Sequence, residues 1–316
     1  MIQVGDVRVT QGEKKSGWLP VINSKLCLPV TMISGKQEGP TVLITAGVHG
    51  AEYIGIQTAM ELSGELEPEE LSGNVIFLLM ANPDACYDFA RFIVPEDGNN
   101  LNQMFPGNAM GTLSEKIAWT MTVQLQSQAD YYLDLHAGDT SEEAMPFVYY
   151  NGACIGDISE ASEELASAAN MSLRVKSTAT TGAYSSACMR GLPAILMERG
   201  GGGRFSRQQV EAYKQDIRNI LIRTKLLEGK EIHDTEQKSV TRANYVEAVQ
   251  DGFWYPSFAA GDSFLKGDMV GEVRDVWGQV LQTYIAEFDG IVLYQTVGMG
   301  VRAKDPLVAY GQVPHE

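Results

Sequence analysis

The chain is short of the features that mark several large classes of protein. No stretch approaches the ~18 consecutive apolar residues needed to cross a bilayer, and the opening segment MIQVGDVRVTQGEKK has no apolar core of the kind a secretory signal carries. Cysteine is scarce and scattered. Cys27, Cys86, Cys154 and Cys188 form no CxxC pair and read as reduced thiols of a cytoplasmic protein. Positive charge is in deficit, with 24 Lys and Arg against 40 Asp and Glu and a net charge of −16. That balance argues against non-specific binding to nucleic acid or anionic membrane. The expected partner is a small molecule, with a homo-oligomer left open. An anionic substrate is not excluded, because a metal and a few Arg can reverse the local field. Low-complexity tracts and repeats of solenoid length are also missing.

What is present fits a soluble α/β protein. A length of 316 residues is enough for one sizeable core, or for a large domain with a smaller one attached. The runs PTVLITA (40–46), NVIFLLM (74–80), YYLDL (131–135) and PAILM (193–197) read as buried strands. Helical patterns cover about 51–62, 114–126 (with Ser114 as cap), 159–170 and 207–227. Strands alternating with helices imply a mixed, mostly parallel sheet flanked by helices. The polar stretch KLLEGKEIHDTEQKSVTRAN marks a boundary, giving domains 1–230 and 240–316. Beyond it, short β-prone runs broken by Gly and Asp recur about every ten residues, as in a small all-β module.

Chemistry-bearing residues follow the apolar runs. VLITA leads to His49, VIFLLM to Asn82, YYLDL to His136 and AILM to Glu198. In a parallel sheet the carboxyl ends of strands share one edge, where open α/β folds bind ligands. His49 and Glu52 form an HxxE pair at the entry to a helix, and His136 would converge on them from a separate strand. Two imidazoles and a carboxylate suit a catalytic zinc site with one coordination position open for water, one Zn2+ per chain. Taken singly, each of these residues is as readily a turn residue after a strand; together they are harder to dismiss. With Glu52 committed to the metal, Glu198 is the candidate general base and acid. Arg91, in the long loop after the second strand, is the candidate cation for a developing oxyanion; its plainer alternative is a surface Arg packed on Phe92. The run Gly200–Gly203 lacks the GK[ST] ending of a phosphate loop and reads as a flexible active-site loop. His233 and His315 read as solvated, and Lys266 as a surface residue.

The segments GVHGAE, DGNNLNQMFPG, DLHAG and LMERGG, in that order, resemble the succinylglutamate desuccinylase/aspartoacylase family of carboxypeptidase A-like zinc hydrolases. The resemblance spans nearly the whole chain. It implies that His49, Glu52 and His136 bind zinc, that Glu198 is the general base, and that Arg91 polarises the scissile carbonyl. It places Tyr184 against the substrate and implies a β-rich, barrel-sandwich C-terminal domain. The expected activity is hydrolysis of the amide of a small N-acylated amine or amino acid.

The chain departs from the family pattern in the substrate clamp. The family reads Asn-Arg before FPG; here the pair is Asn102 and Gln103. An uncharged amide cannot give the bidentate grip of Arg on a carboxylate, so a neutral or cationic moiety fits better. Asn100 stands where relatives have an Asp behind a ligating His. Cys188 lies near the place of a second clamp Arg, which Arg190 could replace. A carboxypeptidase is a weaker alternative, because it needs a cation for the terminal carboxylate. A non-catalytic metal- or ligand-binding protein on the same scaffold would have no need to retain Glu198.

Overall fold

Alternating burial of apolar side chains builds the centre of the molecule. Val42 and Ile44 pack toward one face of a sheet while Leu43 packs toward the other, and all three are fully buried. The computed structural model describes residues 1–154 and 156–314; His315 lies outside them. The first part of the chain runs β1 (Ile2–Val4), β2 (Val7–Val9), β3 (Lys14–Pro20), β4 (Cys27–Ser34), β5 (Gln37–Ala46), α1 (Tyr53–Glu65), β6 (Ser72–Leu78) and α2 (Pro83–Tyr87). It continues through α3 (Leu113–Gln124), β7 (Tyr131–His136), β8 (Glu142–Asn151), α4 (Asp157–Ala168), β9 (Leu173–Ser177), α5 (Ala183–Met189), β10 (Ala194–Gly201) and α6 (Arg207–Arg223). The remainder is β-structure: β11 (Lys238–Val240), β12 (Arg242–Glu247), β13 (Gly252–Pro256), β14 (Ser263–Phe264), β15 (Met269–Arg274), β16 (Val280–Ile285), β17 (Gly290–Thr296), β18 (Gly300–Val301) and β19 (Pro306–Gln312).

The main sheet has the order β12-β19-β17-β8-β10-β7-β5-β6-β4-β3. Its centre, β10-β7-β5-β6, is parallel throughout, so the four apolar runs legible in the sequence end on one edge. Antiparallel strands flank that centre on both sides. Helices α1, α4 and α6 cover one face through Ile54, Leu62, Leu165, Ile217 and Ile220; α3 and α5 cover the other through Ile117, Met121 and Ala187. Each such Leu or Ile, fully buried, contributes about 1.5–3 kcal/mol.

Helix α3 begins one residue before the sequence suggests. Thr112 caps it in a reciprocal capping box, its backbone N–H donating to Glu115 Oε2 at 2.8 Å. Ser114 therefore falls inside the first turn, where its N–H donates to Asp97 Oδ2 at 2.7 Å.

β17 pairs with β8, and β19 and β12 follow, extending the main sheet. A second, four-stranded sheet of β16-β15-β13-β18 packs on this extension around Trp254, Phe264, Val273 and Tyr310.

One buried phenol ties the helical layer to the sheet edge. Tyr213 Oη on α6 lies 3.0 Å from the carbonyl of His136 and 2.5 Å from that of Met197, and is their common donor. Tyr213→Phe keeps the ring and removes this donor. It should cost about 1–2 kcal/mol and lower the calorimetric midpoint by a few degrees; an unchanged midpoint would show that the hydroxyl contributes nothing.

Candidate metal centre

His49 lies in the loop after β5, and Glu52 is the N-cap of α1. The tightness of this loop explains its glycine: a Cβ at Gly50 would fall 2.3 Å from the backbone carbonyl of Ala85. His136 closes β7 and lies in register with Glu198 on β10. The fold thereby brings together residues 49, 52, 136 and 198 from distant parts of the chain.

Glu52 is buried, at 4% exposure. Its Oε1 is 2.7 Å from His49 Nδ1 and its Oε2 is 3.0 Å from His136 Nδ1. The two rings meet edge to face, with centroids 5.0 Å apart. One ligand atom from each of the three residues lies within 4.8 Å of the others. The outward nitrogens also face polar groups. His49 Nε2 hydrogen bonds to Asn100 Oδ1 at 3.2 Å, and His136 Nε2 lies 3.2 Å from Asp134 Oδ2. Asp134 is fixed in turn by Thr45 Oγ1, which donates to its other oxygen at 2.7 Å. A carboxylate behind a ligating imidazole raises its basicity, whereas an amide only orients it. Asp134 is not among the residues expected from sequence, although a spacing of two along YYLDLH puts it on the His136 side of the strand.

Burial disfavours charge on Glu52, yet His136 and His49 hold its carboxyl down at about 2. Burial likewise opposes charge on His136, but Glu52 and Asp134 push it well above the usual imidazole range. Two imidazoles aimed through Nδ1 at one buried carboxylate fit a divalent cation, which binds a ring nitrogen that carries no proton.

Glu198 sits beside this cluster, and its Oε2 is buried without a hydrogen-bond partner among the described residues. Burial pushes Glu198 well above the usual carboxylate range; His136 opposes this, and Glu52, Glu142 and Asp134 add to it. Arg91 reaches the same edge because its carbonyl accepts from Gly50 N–H at 3.2 Å. Its Nε donates to Asp139 Oδ2 at 2.8 Å, and its guanidinium also lies over Phe92, 5.2 Å from the ring centre. Asp139 Oδ1 accepts from the backbone and hydroxyl of Ser141 at 2.7 and 3.0 Å, so both its oxygens are engaged. Asp139 too went unassigned in the sequence, where only its position three residues past His136 hinted at a role.

The run after Glu198 is not a flexible loop. Gly200 O accepts from Gly138 N–H at 2.8 Å, Gly202 N–H donates to Glu142 O at 2.8 Å, and Gly203 N–H donates to Asp139 O at 3.1 Å. The approach is so close that a Cβ at Gly201 would lie 2.2 Å from Glu142 O. The turn 138–142 is thus fastened to the strand that carries Glu198. Burial pushes the Glu142 carboxyl up to about 8; Asp139 and Glu52 add to this, while Arg91 and His136 oppose it.

The residues considered for substrate contact are dispersed. Asn102 Oδ1 accepts from Ala183 N–H at 2.8 Å, holding the start of α5, on which Tyr184 is buried. Asn102 and Tyr184 share a cleft of about 590 Å³ with Tyr149 and Tyr245. Gln103 is exposed. The Arg190 guanidinium is engaged by Ser186 Oγ and Gln126 Oε1. Cys188 is buried, with Sγ 3.5 Å from Ala194 O and 3.6 Å from Ser162 Oγ. His233 is exposed and pairs with Glu231 at 2.9 Å.

Comparison with known proteins places this geometry. The chain is 29% identical to N-alpha-acetyl-L-2,4-diaminobutyric acid deacetylase of Halomonas elongata, over 99% of this chain and 92% of that protein. Its fold matches the product-bound ectoine utilization protein EutE (DoeB) from Ruegeria pomeroyi with a TM-score of 0.87 and 26% identity, covering 97% of each chain. It matches a succinylglutamate desuccinylase/aspartoacylase from Rhodobacter sphaeroides with a TM-score of 0.86 and 26% identity, covering 98% of each. Residues 38–223 match the model of the succinylglutamate desuccinylase/aspartoacylase catalytic domain. The chain belongs to the succinylglutamate desuccinylase/aspartoacylase family.

Proposed function

We propose that this protein is a zinc-dependent deacylase that hydrolyses the amide of a small N-acylated amine or amino acid. The observation that carries the reading is the His49–Glu52–His136 cluster with the unpartnered Glu198 oxygen beside it. His49 and His136 through Nδ1, and Glu52 through its carboxylate, would hold the ion. Zinc, when bound, supplies a Lewis acid that makes water a usable nucleophile near neutral pH. Glu198 takes the proton of the attacking water and delivers it to the departing amine. Arg91, steadied by Asp139, meets the negative charge that gathers on the carbonyl oxygen. Asp134 and Asn100 orient the two imidazoles. Residues 1–230 carry this machinery, and 240–316 form the β-rich C-terminal unit.

The substrate class follows from charge. Gln103 is neutral, Cys188 is a buried thiol, and Arg190 is held by Ser186 and Gln126. None of these supports a clamp for a second carboxylate, which disfavours N-acetylaspartate, N-succinylglutamate and the terminus of a peptide. Tyr184 and Asn102 line the cleft for the rest of the substrate. The Halomonas elongata relative is a deacetylase of an N-acetylated diamino acid, which agrees with a neutral or basic substrate.

Purified protein should hold about one zinc per chain by elemental analysis. Asp134→Asn should weaken zinc binding roughly 10–100-fold; affinity at the wild-type level would remove Asp134 from the site. Glu198→Gln should keep the metal while kcat falls at least ~10²-fold, and near-normal turnover would move the base elsewhere. Among N-acyl compounds, neutral or basic ones should be hydrolysed faster than N-acetylaspartate. Gln103→Arg should shift the preference toward acidic substrates by up to about 1.5–3 kcal/mol. Efficient cleavage of N-acetylaspartate by the unaltered protein, abolished by Arg190→Ala, would overturn the specificity and leave the zinc chemistry standing.

A further inference from the structure

We propose that Glu142 is a specificity residue that receives a cationic group, a primary ammonium, on the amine half of the substrate. This rests on the deacylase reading above and adds to it a residue and a charge.

Placement comes first. Glu142 opens β8, six residues after His136, and its backbone carbonyl is fastened to Gly202 N–H at 2.8 Å. The turn before it is fastened to the strand that carries Glu198 through Gly138 and Asp139. A side chain at this position is therefore held in a fixed relation to the acid–base carboxylate rather than carried on a mobile loop. On its other side β8 pairs with β17, which sets Thr296 opposite Glu142 and Tyr294 opposite Ala144.

Partnering comes second. No hydrogen bond or ion pair involves the Glu142 carboxylate among the described residues. The groups that act on it are Asp139, Glu52, Arg91 and His136. The one guanidinium among them pairs with Asp139 through Nε at 2.8 Å and forms no ion pair with Glu142. Its surroundings leave Glu142 short of a cation.

Charge balance comes third. Glu52, Asp134, Asp139, Glu142 and Glu198 gather around a single Arg. A carboxylate set among other carboxylates ionises at a cost, and that cost is offset when the substrate itself brings a positive charge. The replacement of the carboxylate clamp by Gln103 and Cys188 selects in the same direction. A diamino compound acylated on one nitrogen has the required chemistry: one amide to be cleaved and one free ammonium to be recognised.

The test uses the zinc-loaded full-length protein and Nα-acetyl diamino acids whose ammonium stands on two, three or four methylenes. Each is paired with the isostere that carries a methyl in place of the ammonium. The unaltered enzyme should prefer the ammonium member of at least one pair. Glu142→Gln should lower the ratio of kcat/KM for ammonium over methyl at least about tenfold, mainly through KM for the ammonium compound. A ratio unchanged by the substitution, or equal losses on both members, would overturn the proposal. Calorimetric titration with the free diamino acid gives a readout independent of turnover: binding at least tenfold weaker in Glu142→Gln supports the assignment, and equal binding overturns it. If the unaltered enzyme cleaves neither member of any pair, the deacylase reading fails, and the titration still decides whether Glu142 binds cations. Should Glu142→Gln not fold, Glu142→Asp carries the test. Its carboxylate is one methylene shorter, so the preferred side chain should lengthen by one methylene; an unchanged preference would overturn the proposal.

Discussion

A carboxylate buried between two imidazoles is the constraint on which the rest of this structure depends. Glu52 is 4% exposed and lies within 3.0 Å of a ring nitrogen on each of His49 and His136. Burying that carboxylate is costly unless ring N–H groups donate to it or a metal lies among the three side chains. The surroundings serve that requirement. The parallel centre of the sheet delivers His49 and His136 to one edge, the N-terminus of α1 favours a carboxylate at Glu52, and Asn100 and Asp134 fix the far sides of the two rings.

The same requirement extends outward. Glu198 lies in register with His136, so the strand pairing sets the distance between the His49–Glu52–His136 cluster and the proposed acid–base carboxylate. The glycines that follow Glu198 let its strand come into backbone contact with the turn carrying Asp139 and Glu142. That contact fixes Asp139, and Asp139 in turn aims Arg91. Tyr213 braces the edge by donating to carbonyls of the two strands that carry His136 and Glu198. Stability and chemistry are coupled here through backbone hydrogen bonds rather than through side-chain packing alone.

Much of this was legible in the sequence, for a simple physical reason. Strands buried on both faces are continuous apolar runs, so PTVLITA and YYLDL announced themselves, and the polar residue after each marked the functional edge. The pieces that escaped notice have a different character. β8, EEAMPFVYYN, mixes polar and apolar residues because it is flanked by antiparallel neighbours, and it does not stand out from a loop. Asp134 and Asp139 carry only their spacing from His136 as a local signal and Glu142 only its charge, and what each faces depends on pairings between strands far apart in sequence. The same holds for the continuation of the main sheet through β17, β19 and β12: a turn-rich composition reveals strands but not the neighbour each will choose. The Gly200–Gly203 run suggested mobility, whereas in the fold its lack of side chains permits close contact.

The most direct measurement of the central claim is X-ray absorption at the zinc edge of the purified, metal-loaded protein. A site made by His49, Glu52 and His136 with a solvent ligand predicts only nitrogen and oxygen neighbours at about 2.0–2.2 Å, with multiple scattering from two imidazole rings that drops to one ring in His136→Ala. A sulfur shell at about 2.3 Å, or an imidazole signal unchanged by that substitution, would place the metal elsewhere in the molecule and contradict the site described above.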